Sequence, residues 1–144
     1  MDNADEAGAV AAAEYYLRLT IYAAATGDTT ELEAMSGEKC ESCQSYLATV
    51  TERIANGVRW LSMPAIQLSE SQQWVVQEQP LQYQVEFEAR LGSHEYYDSE
   101  GKRQIAEDEH VIFALRPTFE GSWVISAAKS VSPEEAAQAS SPKQ

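Results

Sequence analysis

At 100° per residue, the segment GAVAAAEYYLRLTIYAAATG (8–27) places Ala13, Tyr16, Leu17, Thr20, Ile21 and Ala24 on one helical face. Tyr15, Leu19 and Tyr22 widen that apolar arc, and Glu14 and Arg18 leave only a narrow polar strip. An arc of this width predicts a helix embedded in its domain rather than lying on the surface. Gly27 supplies its stop. A short second helix follows in DTTELEAMS (28–36), where Asp28 and Glu31 have the spacing of a capping box. A third runs from Cys40 or Glu41 to Asn56, with Cys43, Tyr46, Leu47, Val50 and Ile54 on one stripe.

Past Gly57 the period changes from helical to alternating. LQYQVEFEARL (81–91) sets Leu81, Tyr83, Val85, Phe87, Ala89 and Leu91 against Gln82, Gln84, Glu86, Glu88 and Arg90, a strand with one wet face. EHVIFALRP (109–117) is apolar on both sides and reads as a more central strand, which also suggests a homodimer through the sheet face. SWVISAAKSV (122–131) is a third strand, and VRWLSMPAIQLS (58–69) and QWVV (73–76) are shorter ones. Turn residues in DSEGK (98–102) and FEGS (119–122) predict an antiparallel meander. Three helices followed by four to six strands predict an α+β fold with the helices on one sheet face. Residues 1–7 read as a disordered tail, 8–131 as a single domain and 132–144 as a C-terminal tail. Ser132, Pro133 and Glu135 can open one helical turn in that tail, but no large apolar residue follows to dock it.

Charge narrows the partners. Twenty-three acidic residues against ten basic ones give a net charge of −13, a surface that repels phosphate backbones, so nucleic acid is excluded. No run approaches the roughly 18 apolar residues of a membrane span. The acidic start MDNADEAGAV is unlike a secretory signal.

The chemistry-bearing residues are few. Cys40 and Cys43 are the only cysteines, and on a helix their Cα atoms fall about 5–6 Å apart, within disulfide reach. A structural disulfide is the leading reading. A redox pair, two plain thiols and a Cys2His2 set with His94 and His110 stay open, although no βαβ setting supports the redox pair and no zinc-finger spacing the Cys2His2 set. His94 reads as a surface strand residue and His110 as a strand residue at an edge or pocket wall. Tyr15, Tyr16, Tyr22, Trp60, Tyr83, Phe87, His110 and Phe113 are the candidate lining of a pocket, with core filling as the competing account. No catalytic constellation, metal site or cofactor motif is legible.

The stretch from Ala12 to Gly57 resembles the opening of a domain-of-unknown-function family found in actinobacterial lipoproteins (family 6318). Tyr15-Tyr16, TGDTTELEAMS and CESC carry the resemblance. It implies a nuclear transport factor 2-like (cystatin-like) cone, in which helices close over a curved sheet. It also implies export, lipid anchoring at the outer face of the cytoplasmic membrane, and an oxidising compartment that favours the disulfide. The family's signal segment and lipid-bearing cysteine do not appear in this chain, so any membrane contact would run through an anchor outside it. The expected function is a non-enzymatic module that binds a small apolar molecule or an envelope protein. One alternative is a ketosteroid isomerase- or dehydratase-like enzyme pairing His110 with Tyr16 or Tyr83. Another is thiol–disulfide exchange through Cys40 and Cys43.

Overall fold

In the computed structural model, which describes residues 3–135, three helices precede eight strands. Helix α1 spans Glu6–Thr26, two residues earlier than its apolar pattern begins. The reason is Asp5, whose carboxylate accepts a hydrogen bond from the Gly8 N–H at 2.7 Å and caps the helix. Residues 3–5 therefore belong to the folded unit rather than to a tail, and the Trp123 indole N–H donates to the Asn3 carbonyl at 2.9 Å. At the other end Gly27 takes φ 82°, a left-handed cap that favours glycine. The helix is buried from Gly8 to Ala24 and packs against both other helices and several strands, as its broad apolar arc predicts.

Helix α2 spans Thr30–Met35, and α3 spans Glu41–Ala55. The Asp28–Glu31 capping box does not form. Asp28 Oδ1 accepts from the Thr30 N–H instead, and Glu31 accepts from the Tyr15 hydroxyl. The α2–α3 linker is pinned to the last strand. The Gly37 N–H donates to the Ile125 carbonyl at 2.8 Å, an approach so close that a Cβ at Gly37 would lie 2.8 Å from that oxygen.

The strands form two antiparallel sheets rather than one. The larger contains β2 (Ile66–Leu68), β3 (Gln72–Glu78), β4 (Leu81–Leu91), β7 (Glu109–Phe119) and β8 (Trp123–Val131), in the order β2-β4-β7-β8. Strand β3 also pairs with β4, on the stretch that β2 leaves free. The smaller contains β1 (Arg59–Trp60), β5 (His94–Tyr97) and β6 (Arg103–Ala106), in the order β1-β5-β6. The expected four to six strands in one sheet were too few because segment 58–69 divides between the two sheets, and β1 and β2 are too short to show a period. The DSEGK turn joins β5 to β6 instead of linking strands of the main sheet, and β4 pairs directly with β7. Asp98 Oδ1 organises that turn by accepting the N–H groups of Glu100 and Lys102 at 2.9 Å each.

Strand β7 is internal, flanked by β4 and β8. Pro117 is buried in it, at an irregularity where the β7–β8 register shifts between Leu115 and Pro117, which accommodates its missing N–H. The inner face of β4 contributes Tyr83, Val85, Phe87 and Ala89 to the core. The outer face is largely polar. His110 Nε2 lies 3.1 Å from Glu88, and Arg116 donates to Gln84 at 2.7 Å. Ile112 and Ala114, the apolar residues behind the homodimer expectation, are half-buried on that same face. At the C-terminus the Ser132 hydroxyl accepts from the Glu135 N–H at 3.1 Å, and the rest of the expected tail lies outside the described residues.

Candidate functional site

The inner faces of α1 and α3 do not close fully onto the main sheet. They leave a cleft of about 770 Å³, mostly apolar, and the small sheet contributes to its wall. Helix α1 lines it with Tyr16, Leu17, Thr20 and Ile21, one face of two successive turns. Helix α3 contributes Ser42, Cys43, Tyr46 and Arg53. Phe113 and Leu115 enter from β7, Ala128, Lys129 and Ser130 from β8, and Trp60, His94 and Tyr96 from the small sheet. This volume lies in the range that suits a drug-sized ligand, and apolar walls with a few polar groups are the usual composition of such sites.

One cysteine of the pair, Cys43, belongs to this wall. Cys40 and Cys43 are joined, S–S 2.07 Å, with Cα atoms 5.2 Å apart. Cys40 is the residue capping α3, and the two are only 2% and 1% exposed. Around them, the Ser42 hydroxyl donates to the Ala128 carbonyl at 2.6 Å and the Gln44 amide to the Gly37 carbonyl at 3.1 Å. Together these bonds fix the entry of α3 against β8.

Two tyrosine hydroxyls of the cleft are engaged. The Tyr46 hydroxyl donates to the Thr20 carbonyl at 2.8 Å, tying α3 to α1. Burial pushes its pKa up to about 12, with Tyr16 adding to the rise and the Arg53 charge and the Thr20 bond opposing it. The Tyr16 hydroxyl is likewise internal: it lies 3.2 Å from the buried Ser36 hydroxyl, and burial raises its pKa. The His94 ring packs on Trp60 with centroids 4.0 Å apart and a tilt of 37° between the planes. Burial lowers its pKa, and the Glu109 carboxylate acts in the opposite direction.

Of the eight residues expected to line a pocket, the structure brings Tyr16, Trp60 and Phe113 together in this cleft. Phe87 and Tyr83 face inward but fill the core, at 3% and 9% exposure, the first packed on Phe113 and the second on Trp123. Tyr15 and Tyr22 lie on another face of α1, in a smaller groove shared with Asp28, Glu31 and Met63. His110 is on the outer sheet face, because it pairs in register with the exposed Arg90 while its neighbour Val111 packs on the core. It is therefore not placed to act with Tyr16 or Tyr83. His94, expected at the surface, lines the cleft instead. The pairing of β1 with β5 brings it to Trp60, and a two-residue strand gives no periodic signal. Tyr46 was legible as part of the apolar stripe of α3, but its hydroxyl contact depends on the packing of α1. Among the described residues, no three His, Cys, Asp or Glu side chains gather as a metal-ligand set, and no helix is long and apolar enough to cross a membrane.

A crystal structure of an uncharacterised protein with a cystatin-like fold from Caulobacter vibrioides superposes on this chain with a TM-score of 0.51. The alignment covers 90% of this chain and 94% of the other at 10% identity, so the likeness shows the fold alone. Comparison with curated proteins gives no match. The model of the family of unknown function DUF6318 matches residues 1–129, nearly the whole chain, and the protein belongs to that family.

Proposed function

We propose that this chain is the extracytoplasmic domain of an actinobacterial lipoprotein, a nuclear transport factor 2-like cone that binds a small apolar molecule without transforming it. The observation that carries the reading is the cleft between α1, α3 and the sheet, large enough for a ligand and lined chiefly by apolar side chains. The same walls favour binding without chemistry. The Tyr46 hydroxyl is committed to a backbone carbonyl and the Tyr16 hydroxyl to Ser36. Proton transfer needs an acid or base free to reach the substrate. Burial of the Cys40–Cys43 bond favours a staple over an exchange centre, since an attacking thiolate needs access to sulfur. Such a bond also suits an oxidising compartment.

Titration with Nile red, an uncharged apolar dye, tests the binding reading. Wild-type protein is expected to take up one dye per chain. Ala128→Trp and Ser130→Trp, which place an indole at a half-buried and an exposed wall position, are expected to abolish uptake while the protein stays folded by circular dichroism. No saturable uptake by the wild type, or uptake unchanged in both folded variants, overturns the reading. A turnover screen tests the non-catalytic part, which an activity lost in His94→Gln or Tyr46→Phe would overturn.

A further inference from the structure

Overall there are 23 carboxylates to ten cations, and the charged side chains at the cleft are one of each, Arg53 and Glu109. Lys129 also borders it, but it pairs in register with Ala114 and so sends its side chain to the outer face of the sheet. Among the described residues Arg53 is not paired with a carboxylate. On a surface this acidic, an unpaired cation at the edge of an apolar cavity is a local site for negative charge.

Ser42, at the start of α3, donates to the Ala128 carbonyl, and Arg53 is in the last turn, where its carbonyl accepts from the Val58 N–H. Eleven residues of helix separate the two ends, about 16 Å along the axis. The Arg53 end therefore offers one cation, enough for a monoanion. Arg53 lies two turns after Tyr46 on the same face of α3, and helical side chains lean towards the N-terminus, which directs the guanidinium over the cleft. The influence of its charge on the Tyr46 hydroxyl agrees with that placement. A guanidinium fork matches a carboxylate in two parallel hydrogen bonds. Between the two ends run Ile21, Leu17, Phe113 and Leu115, an apolar floor with no charged group.

Building on the binding reading above, we infer that the ligand is a long-chain carboxylate, its head on Arg53 and its chain along Ile21 and Phe113. Sodium dodecanoate and dodecanol, titrated by calorimetry into the intact chain, separate head from tail. Dodecanoate is expected to bind about tenfold more tightly than dodecanol, the scale of one charge-assisted hydrogen-bond pair. Arg53→Gln, at an exposed position, is expected to erase that preference, Arg53→Lys to keep part of it, and Lys129→Gln to leave it in place. Equal affinities for acid and alcohol, or a preference that survives Arg53→Gln, overturn the assignment of the head group while leaving apolar binding intact. A preference lost in Lys129→Gln, on the outer sheet face, would mean that net charge rather than Arg53 sets it, and overturns the assignment. If neither compound binds, the cleft reading fails together with this one.

Discussion

At the scale of single residues, Tyr46 carries the most testable consequence. Its hydroxyl is buried between α1 and α3 and its pKa is raised from 10.0 to about 12. An unfolded chain releases that proton near the ordinary tyrosine value, whereas the folded chain holds it longer. Folding stability from this group is therefore fully present below pH 10 and is lost as pH rises from about 10 through 12. Urea unfolding midpoints measured across that range should fall steeply for the wild type. Tyr46→Phe should lose about 1 kcal/mol near neutrality, the worth of one hydrogen bond, and show a shallower alkaline decline. Parallel declines in the two proteins would mean that other tyrosines carry the effect. The sequence placed Tyr46 on a buried stripe but could not announce this role. The hydroxyl's partner is the Thr20 carbonyl, 26 residues away, and only the crossing of α1 and α3 brings them together.

At the scale of elements, α2 depends on one side chain. It has six residues, too few for independent stability, and Leu32 is its one buried position, 1% exposed. Leu32→Ala should cost about 2–5 kcal/mol by opening a cavity where α2 meets α1 and β8. Met35→Ala, half-buried at the end of the same helix, should cost less. Amide exchange should also quicken at Ser36 and Gly37, because the linker they form is held by α2 on one side and Ile125 on the other. Unchanged exchange there with the expected loss of global stability would show that β8 alone fixes the linker. The helices and long strands were legible because each repeats its burial pattern over several turns or pairs: α1, α3, β4 and β7 all fall within two residues of their expected bounds. The small sheet was not. β1, β5 and β6 have two to four residues each, and the pairing of β1 with β5, which carries His94 and Trp60 into the cleft, rests on contacts distant in sequence.

At the scale of the whole molecule, the Cys40–Cys43 bond joins architecture to cellular address. It closes a ring of only four residues, so chain-entropy reasoning assigns it about 2 kcal/mol. Its position adds a second contribution, because Cys40 caps α3, Cys43 lines the cleft, and both lie beside the Ser42 and Gln44 bonds that fasten α3. The double substitution Cys40→Ala/Cys43→Ala should therefore lower the unfolding free energy by at least that amount and loosen the cleft, read as weaker Nile red uptake. A loss in stability with full uptake would confine the bond to a staple remote from binding. The compartment can be read from the same two residues. Alkylation without reductant, followed by intact mass of the protein taken from its own cells, should find no free thiol. In a reducing cytoplasm such a bond does not persist unless it is kinetically shielded. Repeating the alkylation after denaturation under mild reductant separates these cases: burial at 1–2% exposure should protect the folded protein, and unfolding should release both thiols. Two free thiols in the native sample would instead place the chain in a reducing compartment, and the exported, lipid-anchored reading would fall with the bond.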